Sequence, residues 1–242
     1  MSIKKHIPNA ITLLNLLSGL IAVFYAVFGE LELAGLFVVI GIGFDFFDGF
    51  AARLLAVQGE LGKQLDSLAD MVTSGVVPGI ILFQLILRAT TNSSIESVFQ
   101  PETVEFLPFF GLSVTLASAY RLAKFNIDTR QTISFIGLPT PANTLLIISL
   151  PWILAYSNTA VFIDFLNDVN VIIGIAVLSS YLLNAEIPLF ALKFNNYSWK
   201  ENNYKFVFLG ISVALILSLQ FVAIPLVILL YVLISVWNNS RK

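Results

Sequence analysis

Asp45 and Asp48 stand three residues apart, and Asp66 and Asp70 stand four apart. Those spacings put each pair on one face of a helix. The stretch FDFFDGFAARLLAVQGELGKQLDSLADMVTSG that carries them is otherwise mostly apolar, with one short polar loop between the pairs. A loop that short folds the two helices into an antiparallel hairpin, in which all four carboxylates meet at one depth. Inside a bilayer each charge costs about 2.5 to 3.5 kcal/mol, and like charges also repel. Cations must therefore sit between them. Carboxylates without thiolate or imidazole partners favour hard ions, Mg or Mn and also Ca, and four of them suit two divalent cations better than one. Salt bridges to Arg53 and Lys63 are the simpler alternative, but they leave at least two negative charges unmatched.

The elements that must position these residues are membrane helices. Of 242 residues 57% are hydrophobic and 12% charged, against about 25% charged in soluble domains; mean hydropathy is +0.89. Apolar segments lie at about 10–28, 33–55, 67–87, 106–126, 142–157, 170–191, 204–219 and 221–237, lengths near the roughly 20 residues of a membrane span. The expected fold is all-α, a polytopic membrane helix bundle of about eight spans. It forms a single integral membrane domain over 1–242, with helices 1–6 (about 1–193) as core and helices 7–8 (about 204–237) as an addition. The last pair reads as a hairpin turning near Gln220, since one helix of about 34 residues would be about 51 Å long.

With the N-terminus inside, twelve of the thirteen basic residues fall on the cytoplasmic side: Lys4, Lys5, Arg53, Lys63, Arg121, Lys124, Arg130, Lys193, Lys200, Lys205, Arg241 and Lys242. Only Arg88 lies outside, with Glu30, Glu32, Glu96, Glu102, Glu105, Asp164 and Asp168. That asymmetry predicts both termini in the cytoplasm. Lys4 and Lys5 before an apolar run resemble the start of a signal peptide, but no A-x-A site follows and an uncleaved first helix is expected. The loop from Arg88 to Glu105 reads as a solvated connector. Absence of cysteine excludes disulfides and thiolate chemistry, and a net charge of -2 gives no general attraction to nucleic acid.

Gly49, Ala52 and Gly62 give the hairpin low walls where a phosphate and ribose can approach the backbone; close helix packing explains them equally well. Metals facing a cavity open to cytoplasm and lipid point to phosphoryl chemistry on a lipid. The pattern Asp45-x2-Asp48-Gly49-x2-Ala52-Arg53-x8-Gly62-x3-Asp66-x3-Asp70 resembles the defining motif of the CDP-alcohol phosphotransferases at every position. The resemblance implies that Asp45, Asp48 and Asp66 hold the metals. Asp70 would be shared between metal binding and proton abstraction from the acceptor alcohol, with CMP displaced from a CDP-linked donor. It also implies a homodimer in a prokaryotic cytoplasmic membrane.

Three further stretches, IPNAITLLNLLSG at 7–19, LDSLADMVTSGVVPG at 65–79, and RLAKFN with FIGLPTPA at 121–126 and 135–142, look like the bacterial and archaeal phosphatidylserine synthases. They imply CDP-diacylglycerol as donor and L-serine as acceptor, giving phosphatidylserine and CMP. Asn9 and Thr12 at the first helix entrance, with Gly49, Ala52, Arg53 and Gly62, would contact the donor; a helix cap is the plainer role for Asn9. Asn15 reads as packing glue between helices. Arg121, Lys124 and Asn126 offer the serine carboxylate a cation and its ammonium an acceptor, although basic residues are expected at that depth whatever the function. Asp128 could also serve as that acceptor. Glu186, expected inside the sixth span, could receive the ammonium or pair with Lys193. His6 reads as interfacial, as do Trp152, Trp199, Tyr204 and Trp237. Two other readings remain: another acceptor, such as glycerol 3-phosphate or inositol phosphate, and a cation transporter using the aspartates as its ion pathway.

Overall fold

A computed structural model describes residues 4, 6–91, 98, 106–128, 135–190 and 198–239. Lys5, Glu96, Glu102, Glu105, Arg130, Lys193, Arg241 and Lys242, all used in the orientation argument, lie outside the described residues, as does most of the Arg88 to Glu105 loop.

Helices α1 (His6–Val27) and α2 (Leu31–Leu54) form an antiparallel hairpin. Small residues are buried on both helices, among them Ser18, Gly19, Ala22 and Ala26 on α1 and Ala34, Gly35 and Gly41 on α2, and Ser18 Oγ donates to Phe37 O at 2.7 Å across the pair. Such side chains let two backbones approach closely in a bilayer, where packing rather than water exclusion holds helices together. The turn between them uses Gly29 at φ 84°, a left-handed conformation that glycine adopts without cost. The carbonyls at the end of α1 find donors across the bundle: Gln84 Nε2 donates to Val27 O at 2.8 Å and Arg88 to Gly29 O.

α3 (Glu60–Asp70) runs into a π-helical turn, Met71–Val76, and on into α4 (Val77–Thr91). The third helix therefore begins well before the expected residue 67. Its first three turns are amphipathic rather than apolar, so hydropathy does not register them. A 3-10 turn, Leu107–Leu112, leads into α5 (Ser113–Ile127). Two extended residues, Phe135–Ile136 (β1), pair antiparallel with Pro188–Leu189 (β2). Gly137 follows at φ 74°, and a Cβ there would lie 2.6 Å from Leu183 O. α6 (Thr140–Tyr156) then crosses the core. The short α7 (Ala160–Asn167), where an outer loop was expected, meets α8 (Val169–Asn184) at a 77° bend. Asp168 caps α8, accepting from Asn170 N at 2.8 Å. Because α8 ends at Asn184, Glu186 is not inside the sixth span as expected but in the short irregular link between α8 and β2.

α9 (Trp199–Leu219) and α10 (Ala223–Asn239) form the expected hairpin. Phe208 and Tyr231 have ring centroids 5.7 Å apart, whereas one straight helix would separate them by about 34 Å. The chain reverses at Gln220, where φ is 50°.

The architecture is all-α apart from the β1–β2 pair, and each of the eight expected apolar segments contains a helix, although in the sixth, expected at 170–191, the helix stops at Asn184. By length and composition alone four helical stretches qualify as membrane spans, or five if α7 and α8 count as one. The count is lower than eight because α5 has only 15 residues and α6 only 17, and because Asn202–Asn239 is taken as one stretch although it turns back at Gln220.

Candidate active site

Asp45 and Asp48 lie on the last third of α2 and Asp66 near the end of α3, so the hairpin loop brings them together. Ligand oxygens of the three carboxylates lie within 4.8 Å of one another. Asp66 Oδ1 is buried without a hydrogen-bond partner. Neither Arg53 nor Lys63 comes within 4 Å of these carboxylates among the described residues, so salt bridges do not account for the cluster. Oxygen-only ligands, convergent and lacking positive partners, fit hard divalent cations.

Asp70 lies one turn further along α3 and is held differently. Its Oδ1 accepts from Asn15 Nδ2 at 3.2 Å, and Asn15 Oδ1 accepts from Thr73 Oγ1 at 2.8 Å. Asn15 and Thr73 are both fully buried. Asn15 thus joins α1 to the π turn, as packing glue would, and also fixes the Asp70 carboxylate. The approach is close: a Cβ at Gly41 would lie 2.7 Å from Thr73 Cγ2, and one at Gly19 would lie 2.3 Å from Thr73 Oγ1. Thr12, three residues before Asn15 on the same face of α1, donates to Asp48 Oδ2. α1 therefore supplies a hydrogen bond to one aspartate of each pair.

Beside the cluster opens a cavity of about 270 Å³ whose lining includes Asn9, Thr12, Gly49, Ala52, Arg53 and Gly62, together with Asp48 and Asp66. All six residues expected to meet the donor thus share one wall system with the metal-type carboxylates. Gly62 borders Asn9: a Cβ there would lie 3.4 Å from Asn9 Oδ1, in ordinary van der Waals contact.

The expected acceptor residues divide. Arg121 is 7% exposed; Nη1 lies 3.4 Å from Thr140 Oγ1, and Nε and Nη2 are buried without partners. Lys124, in contrast, is engaged with Glu186 at 2.5 Å, and Asn126 Nδ2 donates to Ser67 Oγ at 2.9 Å. Glu186, weighed as a receiver for the serine ammonium or as a partner of Lys193, is paired with Lys124, and Lys193 lies outside the described residues. Asn143, fully buried with both amide atoms unpartnered, escaped the sequence reading. The available signal was a carboxamide between Thr140 and Thr144 on an otherwise apolar helix.

A bundle of apolar helices with three convergent carboxylates beside a cavity is the architecture of a membrane protein with a metal-type site. The chain belongs to the CDP-alcohol phosphatidyltransferase family, which it matches over residues 5–238, and it is an integral membrane transferase of that family. It is similar to the CDP-diacylglycerol-serine O-phosphatidyltransferase of Bacillus subtilis, with 35% identity over 141 residues covering 57% of this chain and 70% of the relative. The enzyme of the same name from Helicobacter pylori strain J99 is 30% identical over 217 residues, 89% of this chain and 81% of the relative. The archaetidylserine synthase of Methanothermobacter thermautotrophicus is 28% identical over 146 residues, 59% of this chain and 56% of the relative.

Proposed function

We propose that this protein transfers the phosphatidyl group of CDP-diacylglycerol to the hydroxyl of L-serine, producing phosphatidylserine and CMP. The observation that carries the reading is the convergence of Asp45, Asp48 and Asp66 beside the cavity lined by Asn9, Thr12, Gly49, Ala52, Arg53 and Gly62. The relatives named for serine transfer support the choice of acceptor.

Two divalent cations, Mg or Mn, held by Asp45, Asp48 and Asp66 with Asp70 as a shared ligand, would neutralise the diphosphate and the departing CMP phosphate. The chain's own residues do the rest. Arg53 faces the donor phosphates, the small residues Gly49, Ala52 and Gly62 admit the nucleotide close to the backbone, and Asn9 and Thr12 contact it from α1. Thr12 also orients Asp48. Arg121 binds the serine carboxylate, with Lys124 and Asn126 at the mouth of the acceptor site.

Asp70 takes the proton from the serine hydroxyl. The hydroxyl oxygen forms a bond to the lipid-linked β-phosphorus while the bond from that phosphorus to the bridging oxygen breaks, and CMP leaves with the electron pair. Asn15 occupies Oδ1 of Asp70 and leaves Oδ2 for the proton; a general base works from hydrogen-bond distance of the proton it takes. The proton then passes to solvent.

The same reading makes helices α1 to α8 the catalytic core and the α9–α10 hairpin an addition. It orients both termini to the cytoplasm of a prokaryotic cell, in its inner membrane, and includes a homodimer. The test is an assay of purified protein with CDP-diacylglycerol and, in turn, serine, glycerol 3-phosphate and inositol phosphate. Phosphatidylserine and CMP should form in equal amounts with serine alone; turnover confined to a phosphorylated acceptor would refute the serine reading.

A further inference from the structure

Six of the nine buried side-chain N and O atoms without a partner among the described residues belong to four residues around the π turn: Arg121, Asn143, Ser118 and Ser74. They sit on three elements that are bonded to one another. Arg121 Nη1 reaches Thr140 Oγ1 at the start of α6. Thr144 Oγ1, one turn on, donates to Ser74 O in the π turn at 2.8 Å. Ser118, one turn before Arg121 on α5, closes the third side, lying 3.3 Å from where a Cβ at Gly75 would be.

Packing alone does not explain this arrangement. A buried polar group without a partner is costly, and a buried cation without a counter-charge more so. Native proteins carry few such groups and tend to concentrate them where a ligand completes the bonds. The free atoms specify that ligand. The adjacent Nε and Nη2 of Arg121 form the fork that takes a carboxylate or a phosphate through two hydrogen bonds. Asn143 Oδ1 is a neutral acceptor for an ammonium, and the Ser118 and Ser74 hydroxyls can donate or accept. Ser74 lies one turn past Asp70, and its neighbour Thr73 shares Asn15 with Asp70, so a small molecule held here has its far end near the base.

We infer that Arg121, Asn143, Ser118 and Ser74 form the floor of the acceptor site, recognising an amino-acid zwitterion through its carboxylate and its ammonium. This rests on the serine reading above and extends it to residues deeper than Lys124 and Asn126. Arg121 takes the carboxylate and Asn143 Oδ1 the ammonium.

The experiment uses full-length protein in lipid nanodiscs with Mg. It measures Michaelis constants for serine and CDP-diacylglycerol, and inhibition by 3-hydroxypropanoate, which lacks the ammonium, and by ethanolamine, which lacks the carboxylate. Asn143→Ala should raise the serine constant at least ~tenfold, weaken ethanolamine, and leave 3-hydroxypropanoate and the lipid constant within about twofold. Arg121→Lys should weaken serine and 3-hydroxypropanoate while sparing ethanolamine. A raised lipid constant with an unchanged serine constant would give Arg121 to the donor phosphate and overturn the inference. A lowered melting temperature with unchanged kinetic constants would make Asn143 structural and overturn it equally. Should Asn143→Ala not fold, Asn143→Ser and Ser118→Ala make smaller cuts read by the same constants. Wild-type protein that releases no CMP with serine would instead sink the acceptor reading itself.

Discussion

The two polar regions of this bundle solve opposite problems. On the α2–α3 hairpin, carboxylates of one sign crowd together with no basic group within 4 Å among the described residues, and on the proposed reading cations complete that region. Around the π turn, one guanidinium and several neutral groups are buried with no anion in contact among the described residues, and on the inference above a ligand bearing negative charge completes that region. Asn15 and Thr73 lie between them, tying Asp70 to the turn from which Ser74 faces the second region. Unmatched charge of opposite sign, rather than burial or cavity size, distinguishes the two regions. Damage on the hairpin should strike turnover, and damage around the π turn should strike acceptor affinity.

The largest effect tests the first region as a whole. Chelation should abolish CMP release, and added Mg or Mn should restore it; full turnover in excess EDTA, with no bound metal detected, would break the comparison at its root. Next comes Asp70→Asn, which keeps shape and one ligand oxygen but removes the basic site. It should lower turnover at least ~100-fold with donor and metal binding nearly normal. If metal binding fell in proportion to activity and excess metal rescued turnover, Asp70 would be a ligand only.

Asn15→Leu should lower kcat ~10-fold, in the range seen when groups that orient metal ligands are lost, with both Michaelis constants within about twofold. A serine constant that moved instead would place Asn15 in the second region. Gly19→Ala pushes a methyl group against Thr73 and should cost about 1 to 3 kcal/mol of stability, read as a lower melting temperature. The smallest effect belongs to Lys124→Ala. Lys124 is partly exposed and already paired with Glu186, and such pairs contribute about 0 to 1 kcal/mol; the serine constant should change less than about threefold.

The first region was largely legible in the sequence because its information is local. Asp45, Asp48, Asp66 and Asp70 sit at helical spacings across one loop, and Gly49, Ala52 and Gly62 are written between them. The hairpin at Gln220 was legible from length alone. The second region was not, because Arg121, Asn143 and Ser74 come from three distant segments whose meeting depends on tertiary packing. Arg121 showed itself only as a cation set deeper than an anchor, and Asn143 gave no periodic signal. The start of α3 at Glu60 was missed because an amphipathic turn at a membrane surface lacks apolar character. Glu186 was misassigned to a helix because Ala185, Ile187 and Pro188 extend the apolar run beyond the last helical residue, Asn184.

The most direct test of the central claim is a mass-resolved assay in proteoliposomes containing CDP-diacylglycerol, with and without serine and Mg, in which CMP, lipid products and divalent-ion flux are followed together. The account predicts CMP and phosphatidylserine in equal amounts, only when serine and metal are both present, and no flux. Metal-dependent ion flux without CMP release would contradict it.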